Sequence, residues 1–292
     1  MLAGANHPDS NAAALIISIL ALVKGEIVIV QTSLIGTILG KLLFVLGTSF
    51  IAGGCNRIEQ KFNATIAQTS SSLLVLAVGG LVVLTAFHAA SPSNKGIIEL
   101  SRGAALILVF VYASYLLFQL RTNGGMYNKP SEKSPRRNYV EPAARSLFNA
   151  SASVSHAVVM GKPRPEEEDP AEEEKESVHT FWAAVILLAA STTLTAICSE
   201  CLLDSIDHPL TCVGISKVFF GLILLLIVGN AADQAIAVVV AVKDKMDYSI
   251  DVAVGSSLQI ALLIIPFIVV LGWIIGDDRM TLYFDQFQVI IL

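Results

Sequence analysis

Charge is what this chain has least of. Only 15% of its 292 residues are Asp, Glu, Lys or Arg, 54% are apolar, and the mean hydropathy is +0.69. Soluble domains carry about a quarter charged residues, so the composition excludes an ordinary soluble domain and points to a polytopic membrane protein. Cysteine is scarce as well: Cys55, Cys198, Cys201 and Cys212 lie in or beside apolar sequence and outline no disulfide framework. Cys198 and Cys201 have C-x-x-C spacing but no further thiol or His pair nearby, so packing is expected of them rather than metal or redox chemistry. Met1 to Ser10 has neither a basic n-region nor an apolar h-region, and no signal peptide is expected. No active-site motif accompanies the acids, so neither an enzyme nor a resident cofactor is expected. The net charge of −5 says little about partners, since the acids concentrate in one linker and the bases in a few loops, and no nucleic-acid partner is expected.

What the chain does have is long apolar runs, at about 27–52, 66–89, 97–120, 181–203, 214–242 and 250–275. Each is near the roughly 20 residues a crossing needs. Asn11 to Val23 is too short to cross unless Leu2 to Ser10 extend it, and the run from Met280 stops at Leu292, so both ends look cut. The expected fold is an all-α polytopic bundle of about seven spans plus a partial one. Segments 53–64, 121–180 and 243–249 are separated by pairs of crossings and must share a side. They hold thirteen of the nineteen Lys and Arg, against five (Lys24, Lys95, Arg102, Lys217 and Arg279) on or near the other side. The positive-inside bias places the basic side in the cytosol. Residues 122–179 are polar, rich in Pro and Ser, and acidic at Glu166 to Asp169 and Glu172 to Glu174. They read as a cytosolic tether between a first half, 1–121, and a second, 180–292. A cation-gathering acidic helix is the alternative for the tether, although it has no EF-hand pattern.

The two halves are copies. A shift of 219 positions lays Ser10 to Gly47 on Gly229 to Pro266 without a gap, matching Asn11-Ala12-Ala13 to Asn230-Ala231-Ala232, Lys24 to Lys243, Gly36 to Gly255 and Leu39 to Leu258. Five spans, an odd number, separate the two starts, so the copies are inverted, as in many secondary transporters with a midplane ion site. Inside the second copy Asp233 sits in sequence apolar enough to cross a membrane. An acid there costs on the order of 3 kcal/mol and implies an ion, a proton or a partner.

GNAADQAIAVVVAVKDKMD followed by GSSLQIALLIIPFIVVLGWIIG resembles the second signature region of the cation/Ca2+ exchanger superfamily, in particular its fungal vacuolar Ca2+/H+ antiporters. SNAAALIISILALVKGEIVIVQTSLIGTILGKLLFVLG resembles the first, and FWAAVILLAASTTLTAICSECLLDSIDH and MTLYFDQF fit the same family. The resemblance covers about 10–122 and 177–292 and implies an inverted-repeat exchanger bundle in a vacuolar membrane. By the family's eleven-span register, the chain would lack the first two spans and most of the last two. The resemblance also implies where a cation or proton binds: Asp233, Glu200, Asn230, Asn11, Gly36, Gly229, Gly255, Ser256, Ser257 and Gln259, with Asp233 and Glu200 as the Ca2+ ligands. The family signature reads G-N-A-x-E. Here Asp233 replaces the second Glu and Gln234 the His after it, Ser10 replaces the first Gly, and Ala14 stands where the first acid belongs. Gly40-Lys41 replaces a Ser-Asn pair.

Two functions follow. One is exchange of Ca2+ for H+ by alternating access, in which carboxylates and neutral oxygens complete the six to eight ligands a Ca2+ takes. The other is a degenerate or truncated relative that transports nothing and has a structural or regulatory role, since Lys41 could pair with Asp233 or Glu200 and neutralise the core. The amides and hydroxyls could equally serve interhelical hydrogen bonding.

Overall fold

The computed structural model describes residues 11–57, 59–90, 94–122, 178–205, 216–277, 279–285 and 288. Most of the tether at 122–179, and Cys212, lie outside these residues. Most of the described residues are helical. Helix α1 (Ala12–Val23) leads into α2 (Ile27–Leu39), which passes through a π-helical turn (Gly40–Val45) into α3 (Leu46–Asn56). Helices α4 (Ala64–Ala90), α5 (Asn94–Leu117) and α6 (Val178–Ser205) follow. In the second half α7 (Leu225–Gly229) meets α8 (Ala231–Val242) at Asn230. Then α9 (Met246–Ile250), α10 (Ser256–Gln259) and α11 (Ile265–Ile275) run on through π-helical turns at Asp251–Gly255 and Ile260–Ile264.

Among the described residues, four continuous helical stretches are long and apolar enough to cross a membrane: Ile27–Cys55, Ala64–Phe87, Ile98–Arg121 and Met246–Ile275. The run at 214–242 departs from the uninterrupted crossing expected of it, because it breaks at Asn230. The short run at 11–23 is its twin: α1 and α8 are both 12 residues long, each beginning just after an Asn. They are half-helices. Such broken helices are tolerated at membrane depth where they are buried in protein.

The repeat is legible bond by bond. Leu15 N donates to Asn11 O as Gln234 N does to Asn230 O, and Glu26 N donates to Ala21 O as Lys245 N does to Val240 O. The helix ends match as well. Gly25 has φ +75° and its twin Asp244 has φ +66°, so the same left-handed turn is made once by glycine and once by an Asp, a residue type that tolerates it.

The ends of the bundle gather the segments that the charge bias assigns to each side. At one end Arg57 pairs with Asp244 at 3.1 Å, Gln60 Nε2 donates to Ala241 O at 2.7 Å, and Asn63 N donates to Asp247. At the other Lys24 pairs with Asp204, and Gln31 Nε2 donates to Tyr283 O at 2.8 Å. Arg102 lies over the Trp273 ring at 5.0 Å.

Between the ends the halves approach closely through glycine. A Cβ on Gly36 would lie 2.7 Å from the Leu222 carbonyl oxygen, and one on Gly221 would collide with Thr32. Small residues let helix backbones touch in this way. Gly36→Ala should therefore force α2 away from the π-helical turn at Phe220–Leu224 and lower stability by about 1 to 3 kcal/mol, the usual cost of overpacking. Gly47→Ala, where a Cβ meets nothing within 4 Å, should cost nothing. Unfolding of the two variants in detergent checks this, and equal melting temperatures would contradict the close approach.

Candidate cation site

The half-helices set up the centre. Asn11 and Asn230 occupy the residue before the first helical turn of α1 and of α8, and neither uses its side chain to cap its helix. Both side chains are therefore free for other partners, and both are buried, at 2% and 1% exposure. Asp233 lies in the first turn of α8, where the positive end of the helix dipole favours an acid.

Lys41 comes from the π-helical turn after α2 and is fully buried. Its Nζ lies 2.9 Å from Asp233 Oδ2 and donates to Asn11 Oδ1 at 2.6 Å. With its oxygen thus engaged, Asn11 donates through Nδ2 to Gln259 Oε1 at 2.9 Å and to the Ser256 carbonyl at 3.2 Å. A continuous polar chain runs Asp233, Lys41, Asn11, Gln259, and crosses from the second half to the first and back. The ammonium thus sits between one carboxylate oxygen and one amide oxygen.

Of the ten residues expected at the site, Asp233, Asn11, Gln259 and Ser256 are joined in this chain, Ser256 through its backbone. Ser256 and Ser257 donate their hydroxyl protons back to Val252 O and Ala253 O of their own helix, leaving oxygen lone pairs as the only free function. Gly36 carries the contact to Leu222 described above, and a Cβ on Gly255 would collide with the Asp251 carboxylate. Gly229 has nothing within 4 Å of a built Cβ and directly precedes Asn230. Asn230 is buried near Ala14 and stands outside the chain of bonds. Glu200 is exposed on α6. Lys41 thus pairs with Asp233, one of the two acids open to it in the sequence.

Several polar residues at this centre carry no mark in the sequence that singles them out. Ser33 and Thr37 line a small cavity with Ala14 and Asn230. Thr37 is the twin of Ser256 under the 219-residue shift, a signal that could have found it. Thr48 accepts from Gln234 Nε2, which holds that side chain against α3. Asp247 and Asp251 line a separate cavity of 180 Å³ with Asn63 and Gln119, toward the Arg57 end.

A buried ion pair that loses one partner leaves an uncompensated charge and costs about 3 to 5 kcal/mol, whereas replacing both partners by apolar groups is often neutral. Lys41→Met and Asp233→Leu should each lower stability by about that amount, and the double variant should recover most of it. A double-mutant cycle of unfolding free energies in detergent measures this; additive losses would show that the two groups do not interact.

Residues 10–121 and 183–292 match the family model described as sodium/calcium exchanger protein. A vacuolar calcium ion transporter of Schizosaccharomyces pombe is 36% identical over 291 residues, covering 98% of this chain and 61% of that protein. Vacuolar cation/proton exchanger 3 of Oryza sativa subsp. japonica is 37% identical over 288 residues, covering 97% of this chain and 62% of its own length. The solved structure of native YfkE superposes with a TM-score of 0.70 at 29% identity, covering 97% of this chain and 69% of that one. This chain therefore spans about three fifths of the length of these two curated relatives. The inverted half-helices, the buried acid at the start of α8 and these matches together place the chain in the sodium/calcium exchanger family.

Proposed function

We propose that this chain moves Ca2+ in exchange for H+ across a vacuolar membrane by alternating access, and that Asp233 is the group that takes the cation or the proton. The observation that carries the reading is Asp233 itself: a carboxylate 3% exposed, in the first turn of a broken helix, at the junction of two inverted repeats. The vacuolar setting, Ca2+ and protons are what the relatives' names specify, as a vacuolar calcium ion transporter and a vacuolar cation/proton exchanger.

On this reading the chain's own residues divide the work. Asp233 supplies the only carboxylate in the polar chain, and Asn11, Gln259 and the Ser256 carbonyl supply neutral oxygens. A Ca2+ at Asp233 must displace the Lys41 ammonium, which already neutralises the carboxylate. Gly36 and Gly255 let the surrounding helices pack closely, and Glu200 on α6 serves as an outer negative charge instead of a direct partner of Asp233. The halves 1–121 and 180–292 act as the two arms of the exchanger, with 122–179 tethering them on the cytosolic side. The bilayer is the remaining partner.

The same ion pair favours a second reading. A core already neutral without a bound ion suits a relative that transports nothing and serves a structural or regulatory role. Uptake of 45Ca2+ into acidified vesicles containing the purified chain separates the two. Exchange predicts uptake that collapses with the proton gradient, is abolished in Asp233→Asn and only reduced in Gln234→Ala. Proton-dependent uptake unchanged in Asp233→Asn would sink the assignment.

Ala14 and Lys41 both subtract from the negative charge available to a cation, Ala14 by omitting a carboxylate and Lys41 by adding an ammonium. At an effective dielectric of about 20, a unit charge about 4 Å away is worth roughly 4 kcal/mol. Solvation absorbs much of this, but a remainder of about 1.4 kcal/mol still shifts affinity about tenfold. Ala14→Glu with Lys41→Asn should therefore bind Ca2+ more tightly than either single variant, and either single variant more tightly than the parent chain. Calorimetric titration of all four measures it, and equal affinities would place both positions outside the cation site.

A further inference from the structure

Among the described candidate site residues, Asn230 has buried polar atoms left over. Its side chain is 1% exposed, and neither Oδ1 nor Nδ2 has a hydrogen-bond partner among the described residues. Its twin is fully engaged: Asn11 accepts from Lys41 and donates to Gln259 and to the Ser256 carbonyl. Carrying those positions across the 219-residue shift explains the difference. Gln259 corresponds to Gly40, which has no side chain to accept from Asn230. Lys41 corresponds to Ile260, so the position related to Lys41 has no ammonium to donate to it. Repeat symmetry has given Asn230 the same burial as Asn11 and removed its side-chain partners.

A cavity lies beside it. It measures 20 Å³ and is lined by Asn230, Ala14, Ile17, Ser33, Thr37 and Leu225 among others. About 10 to 15 Å³ of such volume is enough to hold one water. The hydroxyl protons are already committed, Ser33 Oγ donating to Val30 O at 3.1 Å and Thr37 Oγ1 to Ser33 O at 2.7 Å, so these oxygens can only accept. Asn230 needs both a donor and an acceptor. A cation would satisfy its Oδ1 and face its N–H groups, and an anion would do the reverse while facing two hydroxyl oxygens. A water has two donors and two acceptors, which this lining can use together.

We propose that this cavity is a binding site for a single internal water, held by Asn230 with Ser33 and Thr37, at the position where Ala14 leaves out an acid side chain. The water ties α2 to the break between α7 and α8. It is the neutral counterpart of the Lys41 contact that ties Asn11 across the repeats. This inference depends on neither Ca2+ binding nor exchange, so its failure leaves the transport reading standing, and the failure of transport leaves it intact.

High-resolution density maps of the chain in lipid nanodiscs test it, recorded in sodium buffer, in N-methylglucamine buffer, and after soaking with thallium or xenon. One peak within hydrogen-bonding distance of Asn230 is expected in both buffers, with no thallium or xenon signal in the cavity. Ala14→Ser should lose that peak, because its hydroxyl fills the same space. If Ala14→Ser does not fold, the maps of the parent chain decide alone. A thallium signal would make the site a monovalent-cation site, and a xenon signal would make it a dry cavity. An Asn230 amide bonded to protein with no peak beside it would remove the site. Any of these three results overturns the proposal.

Discussion

The contact between Lys41 and Asp233 orders the middle of this bundle. Both groups are withdrawn from water, so each depends on the other for charge, and Lys41 is also held by Asn11. The ammonium fixes which way the Asn11 amide points, and the amide in turn selects Gln259 and the Ser256 carbonyl as its acceptors. One lysine thereby sets the polarity of a hydrogen-bond chain that crosses between the repeats twice. Burying such a pair is an expensive way to hold helices together, because desolvation consumes most of the attraction. The chain itself contains the cheaper solution. At the positions related by the repeat, Ala14 stands for Asp233 and Ile260 for Lys41. Packing alone therefore does not require the charged version.

The broken helices also bear on the buried acid. A continuous helix would carry Asp233 in its interior, with its backbone dipoles spent on internal hydrogen bonds. Ending one segment at Gly229 and starting another at Ala231 exposes the N-terminus of α8 to the protein interior, next to the acid. The close approaches at Gly36 and Gly221 bring the first half's second helix against the turn that precedes this break. Glycine at those positions is required by the close approach itself, while the hydroxyls of Ser256 and Ser257 are spent within their own helix.

Much of this is legible in the sequence, and the parts that are not share a cause. The ungapped 219-residue repeat, read with an odd number of intervening spans, indicates inverted halves, and the hydrogen bonds at Asn11 and Asn230 or at Glu26 and Lys245 repeat it. The acid at 233 stands out because a charge in apolar sequence is rare. Lys41 is visible for the same reason, but its partner is not, since sequence gives a lysine no direction and leaves Asp233 and Glu200 both open. Glu200 illustrates the limit: a residue on a helix adjacent in order can face away from the site, and it is exposed. The break at Asn230 is hidden because 214–242 is continuously apolar, and a half-helix differs from a span only in where its backbone bonds stop. Ser33 and Thr37 escape notice because hydroxyls are common in membrane helices and carry no charge to mark them.

The inverted repeat also makes the two ends of the bundle comparable, and they are not held alike. Gly25 and Asp244 occupy equivalent turns, yet Asp244 has a carboxylate that Arg57 reaches, with the two side chains 8% and 6% exposed. The corresponding end has Lys24 with Asp204, at 29% and 65% exposure, and an Arg279 that is 68% exposed and bonded to Asp277 of its own loop. Exposed pairs contribute about 0 to 1 kcal/mol because water competes for both partners, whereas separating a buried pair strands its charges. The Arg57 end also carries the Gln60 and Asn63 contacts, and the Lys24 end the Gln31 and Arg102 contacts, so the ends differ in the burial of their ion pairs. A symmetric backbone thus carries different side-chain pairs at its two ends, a buried one beside Asp244 and exposed ones beside Lys24 and Arg279.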